Sequence, residues 1–167
     1  TNKAAREMQV RMETLLGTRQ PGLWVGTFHG LCHRMLRQHW QAAGFAEDFQ
    51  IIDSDDQLRL IKRLIKSNEL DDKRWPAKQI SWFINAEKQA GRRASDVVVN
   101  NDYSQEVMLN IYRQYEEICQ RSSLVDFSEL LLRCVELLSN NQELREHYQQ
   151  RFRYILIDEF QDINNLQ

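Results

Sequence analysis

Apolar residues recur at helical spacing along most of the chain, and the places where that period fails mark its organisation. Ala4, Ala5, Met8, Met12 and Leu15 predict a helix over residues 2–16, stopped by Gly17. Pro21-Gly22 signals a turn, and the apolar run Leu23-Trp24-Val25-Gly26-Thr27-Phe28 reads as a short strand. From His29 to Gln150 the pattern is almost wholly helical. His29 to Ala43 carries Leu31, Met35 and Leu36 on one side and ends at Gly44. Ser54-Asp55-Asp56-Gln57 has the form of a capping box ahead of Leu58, Ile61, Leu64 and Ile65. Pro76 suits a first helical position before Ile80, Phe83 and Ile84, and Gly91 closes that helix. Ser104 is placed to cap a helix carrying Val107, Ile111, Tyr115 and Ile118, and Asp126 to Glu129 forms another capping box before Leu130, Leu131, Val135 and Leu138. The period changes again at Phe152-Arg153-Tyr154-Ile155-Leu156-Ile157, whose three consecutive apolar residues suit a strand buried on both faces of a parallel sheet.

The layout is strand, long helical insert, strand. It predicts a mostly α chain in which part of an α/β sheet carries a large inserted helical subdomain, divided as residues 1–28, 29–151 and 152–167. Hydrophobic residues at 42% and charged residues at 28% fit a folded domain, and 167 residues suffice for one of ordinary size. Six Gly and two Pro in such a chain favour helices over many short strands. No apolar run approaches the roughly 20 residues of a membrane helix, and no signal peptide opens the chain, so no membrane is expected among its partners. Cys32, Cys119 and Cys134 are odd in number and lack CxxC spacing, which argues against a disulfide framework and suits a reducing cytoplasm. The net charge of −2 provides no global basic field, so contact with nucleic acid would need a local patch. The chain opens on Thr1 and stops just after an acidic string, and both ends are expected to be cut from something larger.

The densest chemistry lies in that string, Ile155-Leu156-Ile157-Asp158-Glu159-Phe160-Gln161-Asp162. Two carboxylates follow an apolar strand, and in open α/β sheets ligands bind at the carboxyl edge. An aspartate there suits Mg2+, a hard cation that takes oxygen ligands and keeps several waters. The glutamate beside it points elsewhere by strand alternation, and suits a base that orients and deprotonates a water attacking a terminal phosphate. A bare Asp-Glu pair reads as the solvated end of a strand, and the Phe-Gln-Asp continuation is what makes it a motif.

The string resembles motif II, the Walker B variant, of UvrD/Rep-type superfamily 1 DNA helicases. Thr1-Asn2-Lys3-Ala4-Ala5 resembles the end of motif Ia, Gly26-Thr27-Phe28-His29-Gly30 resembles motif Ib, and Leu124-Val125-Asp126-Phe127-Ser128-Glu129-Leu130-Leu131 is similar to the stretch ahead of motif II. The four strings stand in the family's order and together span essentially the whole chain. The resemblance implies a partial RecA-like (P-loop NTPase) sheet with the helices at the place of the family's subdomain 1B. It implies Asp158 as the Mg2+ ligand, Glu159 as the catalytic base and Gln161 as the residue sensing the γ-phosphate of ATP, with no firm role for Asp162. It implies Thr1, Asn2, Lys3, Thr27, Phe28, His29 and Gly30 as contacts to single-stranded DNA. A helix N-terminus at the first three attracts a phosphate. Thr27 and His29 donate to phosphate oxygens, Phe28 offers a stacking face, and Gly30 lets the nucleic-acid backbone approach. Without the resemblance, Thr1 to Lys3 read as a plain helix cap; Phe28 also reads as core, and His29 equally as a cap of the next helix.

The implied activity is ATP-dependent 3′-to-5′ translocation on single-stranded DNA, with unwinding at single-strand/duplex junctions. The implied setting is DNA repair or replication in a bacterial cytoplasm, with proteins of those processes as further partners. The chain departs from the family pattern in having no GxxxxGK[ST] loop, no glutamine motif, no later arginine motifs and no second RecA-like domain. Taken alone it is expected to be inactive, ATP and Mg2+ being handled by the parent protein. A helicase–nuclease subunit of the RecB or AddA kind would carry longer inserts and different text around motif II. The alternative is a non-catalytic helical module that binds DNA or protein.

Weaker signals remain. Arg59, Lys62, Arg63 and Lys66 form a basic stripe opposite an apolar helix face, followed by Lys73, Arg74, Lys78, Lys88, Arg92 and Arg93. These read as a solvated face, with some of the set placed to meet DNA phosphates. His29, Cys32 and His33 have a helical spacing that can bind metal, but no fourth ligand is evident, and Cys32 is equally at home as a small buried residue. Among Trp24, Trp40, Trp75 and Trp82, Trp75 lies beside Arg74 near a loop and is the candidate stacking platform, the others reading as core.

Overall fold

The computed structural model describes residues 2–18, 22–100 and 102–167. Along these the chain forms α1 (Asn2–Leu16), α2 (Phe28–Gln38), β1 (Gln50–Ile51), α3 (Ser54–Ser67), α4 (Ala77–Gln89), α5 (Tyr103–Arg121), β2 (Leu124–Val125), α6 (Phe127–Asn140) and α7 (Gln142–Arg151), then a single 3-10 turn over Phe160–Asp162. Short polar side chains start most of these helices by accepting from backbone N–H groups that have no helical partner. Asp53 accepts from Asp56 N at 2.8 Å, Asp102 from Ser104 N at 2.8 Å, Asp126 from Glu129 N at 2.7 Å and Asn141 from Leu144 N at 3.0 Å.

Asp126 caps as its sequence predicts. Two other caps sit one or two residues earlier than expected: Asp53 rather than Ser54, and Asp102 rather than Ser104. In each case an aspartate just upstream reaches the same orphan N–H groups with a better acceptor. Pro76 stands at the cap position of α4 instead of its first turn, and α2 ends at Gln38 rather than Ala43, the following residues turning toward Gly44.

Two apolar clusters make the core. One packs α3, α4 and α5 through Ile61, Leu64, Ile65, Ile80, Ile84 and Tyr112. The other packs α2, α6 and α7 through Met35, Leu36, Phe49, Leu130, Leu137 and Tyr148. β1 and β2 pair in parallel, Gln50 against Leu124 and Ile51 against Val125, and lie beside this second cluster through Phe49 and Val125.

Where α4 meets α6 the contact is ionic. Lys88, only 1% exposed, places Nζ 2.7 Å from Asp126 Oδ2 and 2.9 Å from Glu129 Oε2. Tyr115 Oη donates to the same Asp126 oxygen at 2.7 Å. Arg93 grips Glu129 and Glu136 with paired N–H groups, and Arg133 adds a third cation at 3.0 Å from Glu129. Burial alone pulls the Lys88 pKa down, but Glu129 and Asp126 outweigh it and hold the ammonium above its ordinary range. Burial pushes Glu129 up, and Lys88 followed by Arg93 holds it far below.

The two runs expected as strands are not strands. Residues 22–27 and 152–157 are extended or bent chain, and among the described residues only β1 and β2 pair. Tyr154 and Leu156 are 91% and 95% exposed. An apolar run becomes a strand only when a neighbour supplies its ladder of hydrogen bonds, and neither run has one here. The two segments nevertheless meet at the helical body. The Trp24 ring lies edge-on to Phe152 at 5.1 Å and to Tyr148 at 5.8 Å, with the Arg34 guanidinium 4.2 Å from its centroid.

Candidate functional site

The start of α2 is built around Thr27. Its backbone is extended (φ −75°, ψ 156°), so the hydroxyl turns back to accept from Gly30 N at 3.2 Å, and it contacts Asn2 Oδ1 at 3.4 Å. That second contact joins residues 25 positions apart and sets the N-termini of α1 and α2 side by side. Neither helix has an acidic residue in its first turn, so both positive dipole ends remain uncompensated. Exposed Asn2 and Lys3 open α1, and half-buried Phe28 and His29 open α2. His29 stands edge-on to the Phe127 ring at 6.0 Å, and burial lowers its pKa, keeping the imidazole neutral at ordinary pH. A Cβ on Gly30 would meet Thr27 Oγ1 at 3.3 Å. The glycine thus leaves room for the cap hydroxyl, a closer reason for its presence than the approach of a ligand. Thr1 lies outside the described residues.

The acidic residues form a second group. Asp158 Oδ1 accepts from Glu159 N at 3.0 Å, and Gln161 Nε2 donates to Glu159 Oε2. Glu159 has φ 52° and ψ 45°, a left-handed conformation, so the strand alternation expected to separate the two acids does not apply. All three side chains are exposed. No hydrogen bond or ion pair among the described residues links this group to Thr27 and Asn2, and no sheet is shared between them.

As for Mg2+, an exposed carboxylate with a second acid one residue away is the oxygen donor chemistry that ion accepts, usually completed by waters and phosphate. The donor type fits. A full cage is not formed, since no cluster of three or more His, Cys, Asp or Glu suited to a metal occurs among the described residues.

The family described as UvrD/REP helicase N-terminal domain matches residues 1–167. The chain belongs to the UvrD/REP helicase N-terminal domain family. It is 52% identical over 167 residues to DNA helicase II of Escherichia coli (strain K12), covering 100% of this chain and 23% of that protein. It is 47% identical over 171 residues to DNA helicase II of Haemophilus influenzae, covering 100% and 24%. ATP-dependent DNA helicase PcrA of Bacillus subtilis (strain 168) is 34% identical over 168 residues, covering 100% and 23%. The chain thus spans about a quarter of the length of these curated relatives.

Within this UvrD/REP family chain, the remaining candidates sort by burial. Lys88 and Arg93, counted from sequence among a basic surface, are spent on the interior ion network. Arg59, Lys62, Arg63, Lys66, Lys73, Arg74 and Lys78 are exposed, Arg59 being paired to Asp56 at 2.7 Å. Trp75 is 6% exposed and belongs to the core, whereas Trp82, assigned to the core from its spacing, is 71% exposed on α4. Helical spacing places a residue on a face but does not say which face the neighbours cover. His29, Cys32 and His33 do not converge with a fourth ligand. Sequence reasoning missed the Asn2–Thr27 contact, although two helix starts, each with a short polar residue, were its visible signal.

Proposed function

We propose that this chain is part of an ATP-dependent DNA helicase that moves 3′-to-5′ along single-stranded DNA and opens the duplex at a junction, in repair or replication in the bacterial cytoplasm. What carries the reading is the match of all 167 residues to proteins named DNA helicase. Two features of the structure support it. The paired N-termini of α1 and α2, with Asn2, Lys3, Thr27 and His29 around them, offer backbone N–H groups and side-chain donors to phosphates, with Phe28 and Gly30 beside them. The bonded trio Asp158, Glu159 and Gln161 presents carboxylate oxygens to solvent at the end of an apolar run.

In the parent protein, Asp158 would hold Mg2+, which neutralises charge on the triphosphate. Glu159 would orient the attacking water and take its proton. Gln161, hydrogen-bonded to Glu159, would register the γ-phosphate through that contact. Residues 29–151 are the inserted subdomain, and residues 1–28 and 152–167 belong to a RecA-like domain. No GxxxxGK[ST] occurs in the sequence, so this chain by itself is expected to hydrolyse no ATP.

The test is ATPase activity with and without single-stranded DNA. The parent should be stimulated by DNA, and Glu159→Gln in it should keep nucleotide binding while losing about 10²–10⁴-fold in turnover. Wild-type turnover in that variant would remove Glu159 from the base role. A parent that binds DNA but turns over no ATP would favour the non-catalytic module instead.

A further inference from the structure

A cleft of about 300 Å³ opens between α5 and α6, at the lower end of the sizes that small-molecule sites have. Half-buried Phe45 and Leu124 and buried Cys119 give it apolar walls. Its charged lining divides into groups that hold one another and groups left open. Arg93 gives all five N–H groups to carboxylates: Nε to Glu136 at 2.6 Å, Nη1 to Glu116 at 3.2 Å and Glu129 at 2.7 Å, and Nη2 to Glu129 at 2.8 Å and Glu136 at 2.7 Å. The second oxygen of Glu116 accepts from Ala94 N at 3.1 Å. Arg133 differs. Its Nε and Nη2 each lie 3.0 Å from Glu129 Oε1, but Nη1, with two hydrogens to donate, meets only Ala43 O among the described residues, at 3.5 Å, beyond the usual range of such a bond. The same guanidinium stands 5.0 Å from the centre of the Phe45 ring. Glu117 is the other open group. Its side chain is 69% exposed, and among the described residues its carboxylate meets only the exposed Arg121, at 3.7 Å, a solvent pair of little strength.

We propose that this cleft binds a free α-amino acid with a large apolar side chain, its carboxylate on Arg133, its ammonium on Glu117 and its side chain against Phe45, Leu124 and Cys119. Charge selects the class. The lining carries two cations, Arg93 and Arg133, and three carboxylates, Glu116, Glu117 and Glu129. A simple anion would enter a wall of net negative charge, and a simple cation would leave the open Arg133 donor without a partner. A zwitterion brings no net charge and meets both open groups, with a carboxylate for the guanidinium and an ammonium for the glutamate. The apolar walls then supply the remaining contact, as in small-molecule sites where a few polar groups orient a mostly apolar ligand. The inference stands independently of the helicase reading.

The experiment is a ligand-observed NMR titration of the full-length protein with phenylalanine, and with 3-phenylpropionate and phenethylamine, each of which lacks one of its charges. Phenylalanine should bind with a Kd of about 1 mM or tighter, the range expected for so small a ligand. Each analogue should bind about tenfold more weakly, having lost one charge-assisted contact. In Glu117→Gln, a change at an exposed side chain that leaves the core intact, phenylalanine should weaken by about tenfold while 3-phenylpropionate stays as in the wild type. No binding of phenylalanine at about 10 mM, equal binding of all three compounds, or phenylalanine binding unchanged in Glu117→Gln would each overturn the proposal. So would a parallel loss of 3-phenylpropionate in that variant, because Glu117 would then not be answering the ammonium.

Discussion

Replacing Lys88 by Met tests whether the ionic contact between α4 and α6 holds the helical body together. At 2.7 Å and an effective dielectric of about 20, the Lys88–Asp126 attraction is about 6 kcal/mol before desolvation is counted. Met keeps the stem but removes the charge. Glu129 would still have Arg93 at 2.7 Å and Arg133 at 3.0 Å. Asp126 would keep only neutral donors, Glu129 N and Tyr115 Oη at 2.7 Å and Gln57 Nε2 at 3.4 Å. One carboxylate is thus stranded in the interior, which costs about 3–5 kcal/mol. For a chain of this length, that lowers Tm by about 10–15 °C. Adding Asp126→Asn removes the stranded charge and keeps an oxygen to cap Glu129 N, so the double variant should recover about half of the loss. Thermal and urea unfolding followed by circular dichroism measure both. A single variant within about 1 kcal/mol of wild type, or a double variant less stable than the single one, would refute the reasoning.

Further outcomes follow from neighbouring features. Glu129 has its pKa lowered on folding, so its contribution is complete above the unfolded value of about 4.3 and is lost as pH falls below it. Urea midpoints should therefore begin to drop near the unfolded value and keep falling below about pH 3 toward the far lower folded one, and a flat profile would show that Glu129 is not held by its cations. Trp75→Ala should destabilise by about 3–5 kcal/mol because the ring is core. Trp82→Ala should stay within about 0.5 kcal/mol of wild type, and equal losses in the two variants would contradict the burial described above. Thr27→Ala should cost about 1 kcal/mol of stability and weaken single-stranded DNA binding in the parent, with Thr27→Ser restoring both, as fluorescence anisotropy would report.

The helices were legible because their signals are local. The apolar spacing of α1 and its Gly17 stop, the Asp126 cap and the Ile and Leu ladder of α3 all act within a turn or two of themselves. What the sequence hid depends on distant partners. Lys88 looked like one of ten surface cations because Asp126 and Glu129 lie some forty residues further on. Gln57 looked like half of a capping box but is buried, accepting from Ser81 and donating to Asn85. The β1–β2 ladder is only two residues long per strand and leaves no periodic trace. Conversely, Leu23–Phe28 and Phe152–Ile157 carry a strand's composition without a strand's neighbours, so the pattern was readable and the element was absent. The candidate site was legible as strings of residues, while the Thr27–Asn2 contact that joins two of them was not.

The edge-on meeting of Trp24 and Phe152 has a topological consequence. On the proposed reading of residues 29–151 as an insert, rings that touch at its two ends present the host domain with something close to a hairpin neck. The entropy of bringing those ends together is settled when the helices fold, so lengthening or trimming loops far from the neck should barely disturb the host. Such a graft tolerates change at its crown and resists it at its root, where one indole holds both threads.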